Sequence, residues 1–117
     1  MFTLEELLIE TDPDLTLVAT MVIGFDDNRH LALEYRVTDC NNPLETRIKY
    51  VSVDKEDVYV LAKKVNVALT KLPNYICQRY GKRPLCGTDP SEAHALFGEI
   101  LDFYKSNGIR YQLKNSL

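Results

Sequence analysis

The sequence predicts an α+β fold: a two-layer sandwich with helices on one face of a mostly antiparallel sheet, built from a three-stranded meander and a C-terminal strand. Three observations predict it. Successive segments of the first half are β-branched or alternate apolar with polar residues, and short polar connections join them. Apolar residues then recur at helical spacing through much of the second half. The last residues return to period two. The chain has 117 residues, 45% apolar and 26% charged, which suits one domain over 1–117 with a core of its own.

Thr3 followed by Glu6 has capping-box spacing, so a short helix is expected from about Leu4 to Glu10. Asp12-Pro13-Asp14 ends it, because Pro13 disfavours a helical conformation in the residue before it. Leu15 to Phe25 is β-branched or apolar on both faces and reads as a covered or central strand. After the tight Asp26-Asp27-Asn28-Arg29 connection, Leu31, Leu33, Tyr35 and Val37 alternate with Ala32, Glu34, Arg36 and Thr38. That is a half-buried strand. Beyond the turn at Asn41-Asn42-Pro43, a third strand carries Leu44, Thr46, Ile48 and Tyr50 on one face. The phase then slips to Val51 and Val53, and a bulge near Tyr50 would account for the slip.

Asp54 opens a helix with Glu56 and Asp57 in its first turn, at the positive end of the dipole. Its stripe runs Val58, Leu61, Ala62, Val65, Leu69 and Leu72, until Pro73 ends or kinks it. A short helix from about Asn74 to Tyr80 stops at Gly81, and Lys82 to Thr88 is a loop. Asp89-Pro90-Ser91-Glu92 is the strongest local signal: an N-cap, a proline at the first helical position and a capping-box glutamate. The stripe Ala93, Leu96, Phe97, Ile100, Leu101, Tyr104 follows and Gly108 terminates it. Ile109, Tyr111 and Leu113 alternate with Arg110, Gln112 and Lys114 as a last strand.

Several function classes lack their signatures. No run of 18 apolar residues is present, so no transmembrane helix and no membrane partner are expected. No basic start with an apolar stretch behind it marks a secretory signal, and a cytoplasmic setting is the expectation. Three cysteines, Cys40, Cys77 and Cys86, are an odd count for a disulfide framework, and reduced thiols are expected. Cys77, Cys86 and His94 are spaced too widely for paired zinc ligands. A nucleophilic pairing of His94 with Cys77 or Cys86 is open but nothing in the spacing requires it. No glycine-rich phosphate loop, G-x-S-x-G or H-E-x-x-H is present. No catalytic residue, metal or cofactor is assigned.

Charge is unevenly distributed. Residues 1–60 hold 13 acids and 5 bases, a net of −8, and residues 61–117 hold 4 acids and 9 bases, a net of +5. An acidic surface of Glu5, Glu6, Glu10, Asp12, Asp14, Asp26, Asp27 and Glu34 could steer a basic protein partner, provided the two halves do not interleave in space. The turn acids Asp26 and Asp27, with Glu34 and Asp39, could also serve a cation or acid–base chemistry, although Asp26-Asp27-Asn28 is ordinary turn sequence and no D-x-[DN]-x-[DN]-G loop is present. Val60 and Val67 lie seven apart beside Lys63, Lys64 and Lys71, opposite the main helical stripe. They make an apolar contact for a partner or a homodimer, or else a second packed face. Arg79, Tyr80, Lys82 and Arg83 could take a phosphate or a nucleic acid, or could simply complement a helix end.

These features point to a non-catalytic protein-interaction module, of inhibitor, immunity or regulatory type, presenting an acidic surface to a basic protein. A nucleic-acid or nucleotide-binding module using the Arg79–Arg83 segment is the alternative, and a small enzyme with a sheet–helix cleft is the third.

Overall fold

Period two in the first half builds an antiparallel sheet, and the helices that follow cover one of its faces. The computed structural model describes residues 2–10, 16–39, 41, 42, 44, 46–81 and 90–116. The strands are β1 (Thr3–Glu10), β2 (Leu17–Phe25), β3 (Leu31–Asp39), β4 (Arg47–Val53) and β5 (Gln112–Ser116). Their order in the sheet is their order in the chain, and every neighbouring pair is antiparallel. The helices are α1 (Lys55–Val65), α2 (Leu72–Tyr80) and α3 (Pro90–Ser106), with a 3-10 turn at Leu69–Lys71 leading into α2. The α+β expectation of helices on one face of an antiparallel sheet holds, with one strand more than the sequence suggested.

That extra strand is a correction. Residues Thr3–Glu10 form β1 rather than a helix, paired to β2 along the sheet edge. The reason is visible in the register. Thr3 sits opposite Phe25 and Glu6 opposite Ile23, and Leu7 opposite Val22 and Ile9 opposite Met21, so β1 carries an extra residue in each interval. Leu4 takes up the first with a left-handed backbone, φ 54°, and Leu8 the second. Two bulges break strict alternation, so Leu8 and Ile9, adjacent in sequence, are both buried. A doubly bulged strand thereby imitates helical spacing.

The bulge expected near Tyr50 is absent. β3 and β4 pair without a slip from Leu31 opposite Val53 to Val37 opposite Arg47. The change of phase is a change of face. Val51 and Val53 point to the helices, whereas Ile48 and Tyr50 lie half-buried on the helix-free face. Lys49 shares the helix side with Val51 and places its ammonium 5.7 Å from the Phe97 ring centre.

The core lies between the sheet and the helices. Ala19, Met21, Ile23 and Phe25 of β2 and Leu31, Leu33 and Tyr35 of β3 meet Leu72 and Ile76 of α2 and Ala93, Leu96, Phe97, Ile100 and Tyr104 of α3. α2 packs over β1 and β2, and α3 over β2. α3 ends as the sequence foretells: Gly108 adopts φ 71°, and the Ile109 N–H reaches back to the Tyr104 carbonyl at 2.9 Å. Strand character resumes only at Gln112, because Ile109 is buried as part of this helix end. α1 is shorter than its stripe suggests. Asn66 adopts φ 57°, its N–H bonds to the Ala62 and Lys63 carbonyls, and the chain leaves the helix there. Among the described residues, no helix is long and apolar enough to cross a membrane.

Two side-chain positions test this packing. At Gly24 a Cβ would stand 2.8 Å from the Phe2 Cβ and 2.9 Å from the Thr3 carbonyl oxygen, so Gly24→Ala drives the N-terminal segment off the sheet. The expected loss is about 1–3 kcal/mol in urea unfolding, and an unchanged midpoint would refute the close approach. The Tyr104 hydroxyl is buried with no hydrogen-bond partner among the described residues, and burial pushes its pKa well above the usual tyrosine range. Tyr104→Phe removes that unmet polar group, and the unfolding midpoint should hold or rise, by up to ~1 kcal/mol.

Candidate functional site

The hairpin between β2 and β3 is held by its own aspartate. Asp26 Oδ1 accepts the N–H groups of Asn28 and His30 at 2.9 and 3.0 Å, and Arg29 takes the left-handed conformation at φ 63°. The other oxygen, Oδ2, accepts the Tyr50 hydroxyl at 3.1 Å from across β3. Glu34 is the direct cross-strand neighbour of Tyr50. Burial, the hydrogen bond to Asp26 and the charges of Asp26, Glu34 and Asp27 together push the Tyr50 hydroxyl up to about 12. Three carboxylates expected at the acidic surface therefore converge on one phenol at the hairpin end of the helix-free face.

The remaining predicted acids disperse. Glu5 passes beside Gly24 and is exposed. Glu6 lies opposite Ile23 toward the helices, where Asn74 Nδ2 donates to it at 3.4 Å. Glu10 stands at the far end of β1, opposite Thr20. Asp12 and Asp14 lie outside the described residues. Glu34 is also paired with Arg36 at 2.8 Å, whereas Asp27 and Glu5 form no ion pair among the described residues. The segregation is therefore partial, and it is strongest around Tyr50.

The helix-free face around these acids is not wholly polar. Phe2, Leu7, Val18, Val22 and Ile48 are half-buried on it, and the Phe2 and Tyr50 ring centres are 6.1 Å apart.

The other candidates fare differently. Val60 and Val67 do not share a helix face, because α1 stops at Val65. Val60 is 43% exposed on α1, while Val67 lies past the helix end and packs against the core. The left-handed Asn66 separates them, and that is the correction to the seven-residue spacing argument. Arg79 lies on the last turn of α2, its guanidinium 5.5 Å from the Tyr80 ring centre and 5.6 Å from that of Phe103, and it donates to the Tyr75 hydroxyl at 3.3 Å. Lys82 and Arg83 lie outside the described residues, as do Cys40 and Cys86. Cys77 is buried, its thiol 3.5 Å from the Leu7 carbonyl oxygen. His94 is exposed on α3. Asp39 serves its own turn, accepting the Asn41 N–H at 2.9 Å.

A feature absent from the sequence reading is a cleft of about 390 Å³ where the end of β4, the first turn of α1 and the approach to β5 meet. Ser52, Asp54, Glu56, Asp57, Arg110, Tyr111 and Gln112 line it. Asp54, Glu56 and Asp57 read in the sequence as helix-start chemistry, yet Asp54 makes no side-chain cap bond; its carboxylate lies 3.9 Å from His30 Nε2. His30 Nδ1 stands 3.9 Å from Asp26 Oδ2, so the imidazole lies between these two aspartates. No sequence spacing could have joined Ser52 to Arg110, because their proximity comes from the pairing of β4 with β5. No cluster of metal-ligating side chains is found among the described residues.

No family model matches the chain, and neither a curated protein nor a solved structure matches it.

The hydroxyl of Tyr50 offers a direct test of the acidic convergence. Its raised folded-state pKa means that the unfolded chain ionises first. Stability should therefore fall as pH rises from 10 toward about 12, and Tyr50→Phe should remove that part of the slope. Ultraviolet titration of the phenolates, with Tyr50→Phe identifying the residue, should show Asp26→Asn lowering the Tyr50 pKa while burial keeps it above 10. No change on Asp26→Asn would mean that the carboxylate does not face the phenol.

Proposed function

We propose that the protein is a non-catalytic, cytoplasmic interaction module of inhibitor, immunity or regulatory type, binding a basic protein through the helix-free face of its sheet. One observation carries the reading: Asp26, Asp27 and Glu34 gather around Tyr50 at one end of a face that also holds half-buried Leu7, Val22 and Ile48. The apolar positions supply area to exclude water, and the carboxylates supply the charge that a cationic surface complements. Mechanistically, binding occludes the partner's surface, with attraction between opposite charges speeding encounter more than it tightens the complex. Arg36 tempers the field at Glu34, which leaves Asp27 and the hairpin as its strongest part.

The test is affinity capture from the native host at low salt, with wild type and an Asp27→Lys/Glu34→Lys variant side by side. The expected result is a basic protein retained by wild type, lost by the variant, and associating more slowly as salt rises over roughly 0.05–0.2 M. Partners that are acidic, or that bind both forms equally, would overturn the reading.

A further inference from the structure

One residue decides where the start of β1 goes. Leu4 holds a left-handed backbone at φ 54°, a conformation that costs a residue with a Cβ and that glycine adopts freely. It is also 50% exposed, so an apolar side chain is left in water at a strained position. The strain has a geometric result. Thr3 stands opposite Phe25 and Glu6 opposite Ile23, so three steps along β1 match two along β2. Because side chains alternate, the extra residue reverses the face of everything before it. Counted back from Glu6 through an unbulged strand, Phe2 would point to the helices together with Leu4. In the bulged strand Phe2 turns to the helix-free face instead, where its ring centre lies 6.1 Å from that of Tyr50. It passes over Gly24, whose missing side chain leaves it room. Ala32, opposite Gly24 on β3, is fully buried on a face that no described helix covers.

We infer that residues 2–4 form a strap with two registers, bulged and unbulged, which covers or uncovers the Tyr50 end of the helix-free face. As regulation of binding, the inference rests on the reading of that face as the contact for a basic protein. In the unbulged register Leu4 relaxes to an extended backbone and faces Phe25 from the helix side, Glu5 faces Gly24, and Phe2 leaves Tyr50. Identifiable forces oppose one another. The contact of the Phe2 and Tyr50 rings and the burial of Phe2 favour the bulge. The left-handed Leu4 and its exposed side chain oppose it. The strap lies on an edge strand, paired to β2 alone, where local opening disturbs least. Withdrawing Phe2 bares the Tyr50 ring beside Asp26, Asp27 and Glu34, an apolar centre within an acidic rim. A partner that packs on that ring draws the strap into the unbulged register, and the bulged register keeps the ring covered until then.

Substitutions at Leu4 move the balance in opposite directions. Leu4→Val, whose β-branch disfavours a left-handed backbone, should shift it toward the unbulged register by about tenfold, and Leu4→Gly should hold the bulge. The full chain is followed by nuclear Overhauser contacts and by ultraviolet titration of the phenolates, with Tyr50→Phe marking Tyr50. Leu4→Val should lose the contact between the Phe2 and Tyr50 rings, gain contacts of Leu4's replacement with Phe25, and bring Tyr50 down from about 12 toward 10. Leu4→Gly should keep the ring contact and the high pKa. Should Leu4→Val fail to fold, Leu4→Thr, equally β-branched, must give the same result. A ring contact and a Tyr50 titration unchanged in the β-branched variants would overturn the inference. Loss of the contact without pairing to Phe25 would do the same, since it would mean fraying rather than a change of register. In the capture experiment Leu4→Val should retain more of the basic protein than wild type and Leu4→Gly less, and equal retention would remove the regulatory role. The spectroscopic arm needs no protein partner. A change of register beside a capture that returns no basic protein therefore rejects the interaction reading alone, and an unchanged register beside a successful capture rejects the strap alone.

Discussion

The arrangement depends on the unbroken register between β2 and β3. Nine consecutive pairs run from Leu17 opposite Asp39 to Phe25 opposite Leu31. Because side chains alternate, this register decides which residues meet the helices. A slip of one position in β2 would turn Met21, Ile23 and Phe25 to solvent and present Thr20 and Val22 to the helices. Exposing those three side chains costs about 1.5–3 kcal/mol each, a sum comparable with the roughly 5–15 kcal/mol that holds a domain folded. A slip in β3 would also drive Glu34 beneath the helices, where an unpaired carboxylate costs several kcal/mol more. The convergence of Asp26, Asp27 and Glu34 on Tyr50 follows from the same register, because the hairpin and Tyr50 meet only when Glu34 sits opposite Val22 on one side and Tyr50 on the other.

What could be read from the sequence follows where one physical rule acted alone. β2, β3 and α3 are legible because period two, turn chemistry and helix capping agree over long stretches. β1 is misread because its bulges overlay the alternation with helix-like spacing, and a pair with capping-box spacing, Thr3 and Glu6, lies inside it. The edge position matters as well: pairing with β2 and coverage by α2 settle a conformation that local propensity leaves open. α1 is overextended because Asn66 gives no apolar signal and its left-handed turn is a three-dimensional choice. Val67 shows the consequence, since an unbroken helix would have put it beside Val60.

The acidic hairpin was legible as composition, and its focus on Tyr50 was not. Asp26 reads as a turn residue and Tyr50 as a strand residue, and their 3.1 Å hydrogen bond appears only when β3 lies between them. The cleft was wholly illegible, since its floor comes from β4, its acids from the first turn of α1 and its arginine from the approach to β5.

A meander keeps sequence neighbours as spatial neighbours, which is why charge segregation along the chain survives partly in space. β1 to β4 lie side by side in chain order, so the acids these strands carry stay on that part of the sheet. Strand alternation then divides them, sending Glu6 toward α2 and Glu34 to the helix-free face. Two groups result, one around Tyr50 and one at the start of α1, and His30 stands within 3.9 Å of both. Exposed ion pairs contribute little to stability, typically below about 1 kcal/mol. Asp27, which forms no ion pair among the described residues, is therefore poorly accounted for as a brace of the fold. The proposed binding of a basic protein rests on such carboxylates, grouped beside half-buried apolar positions.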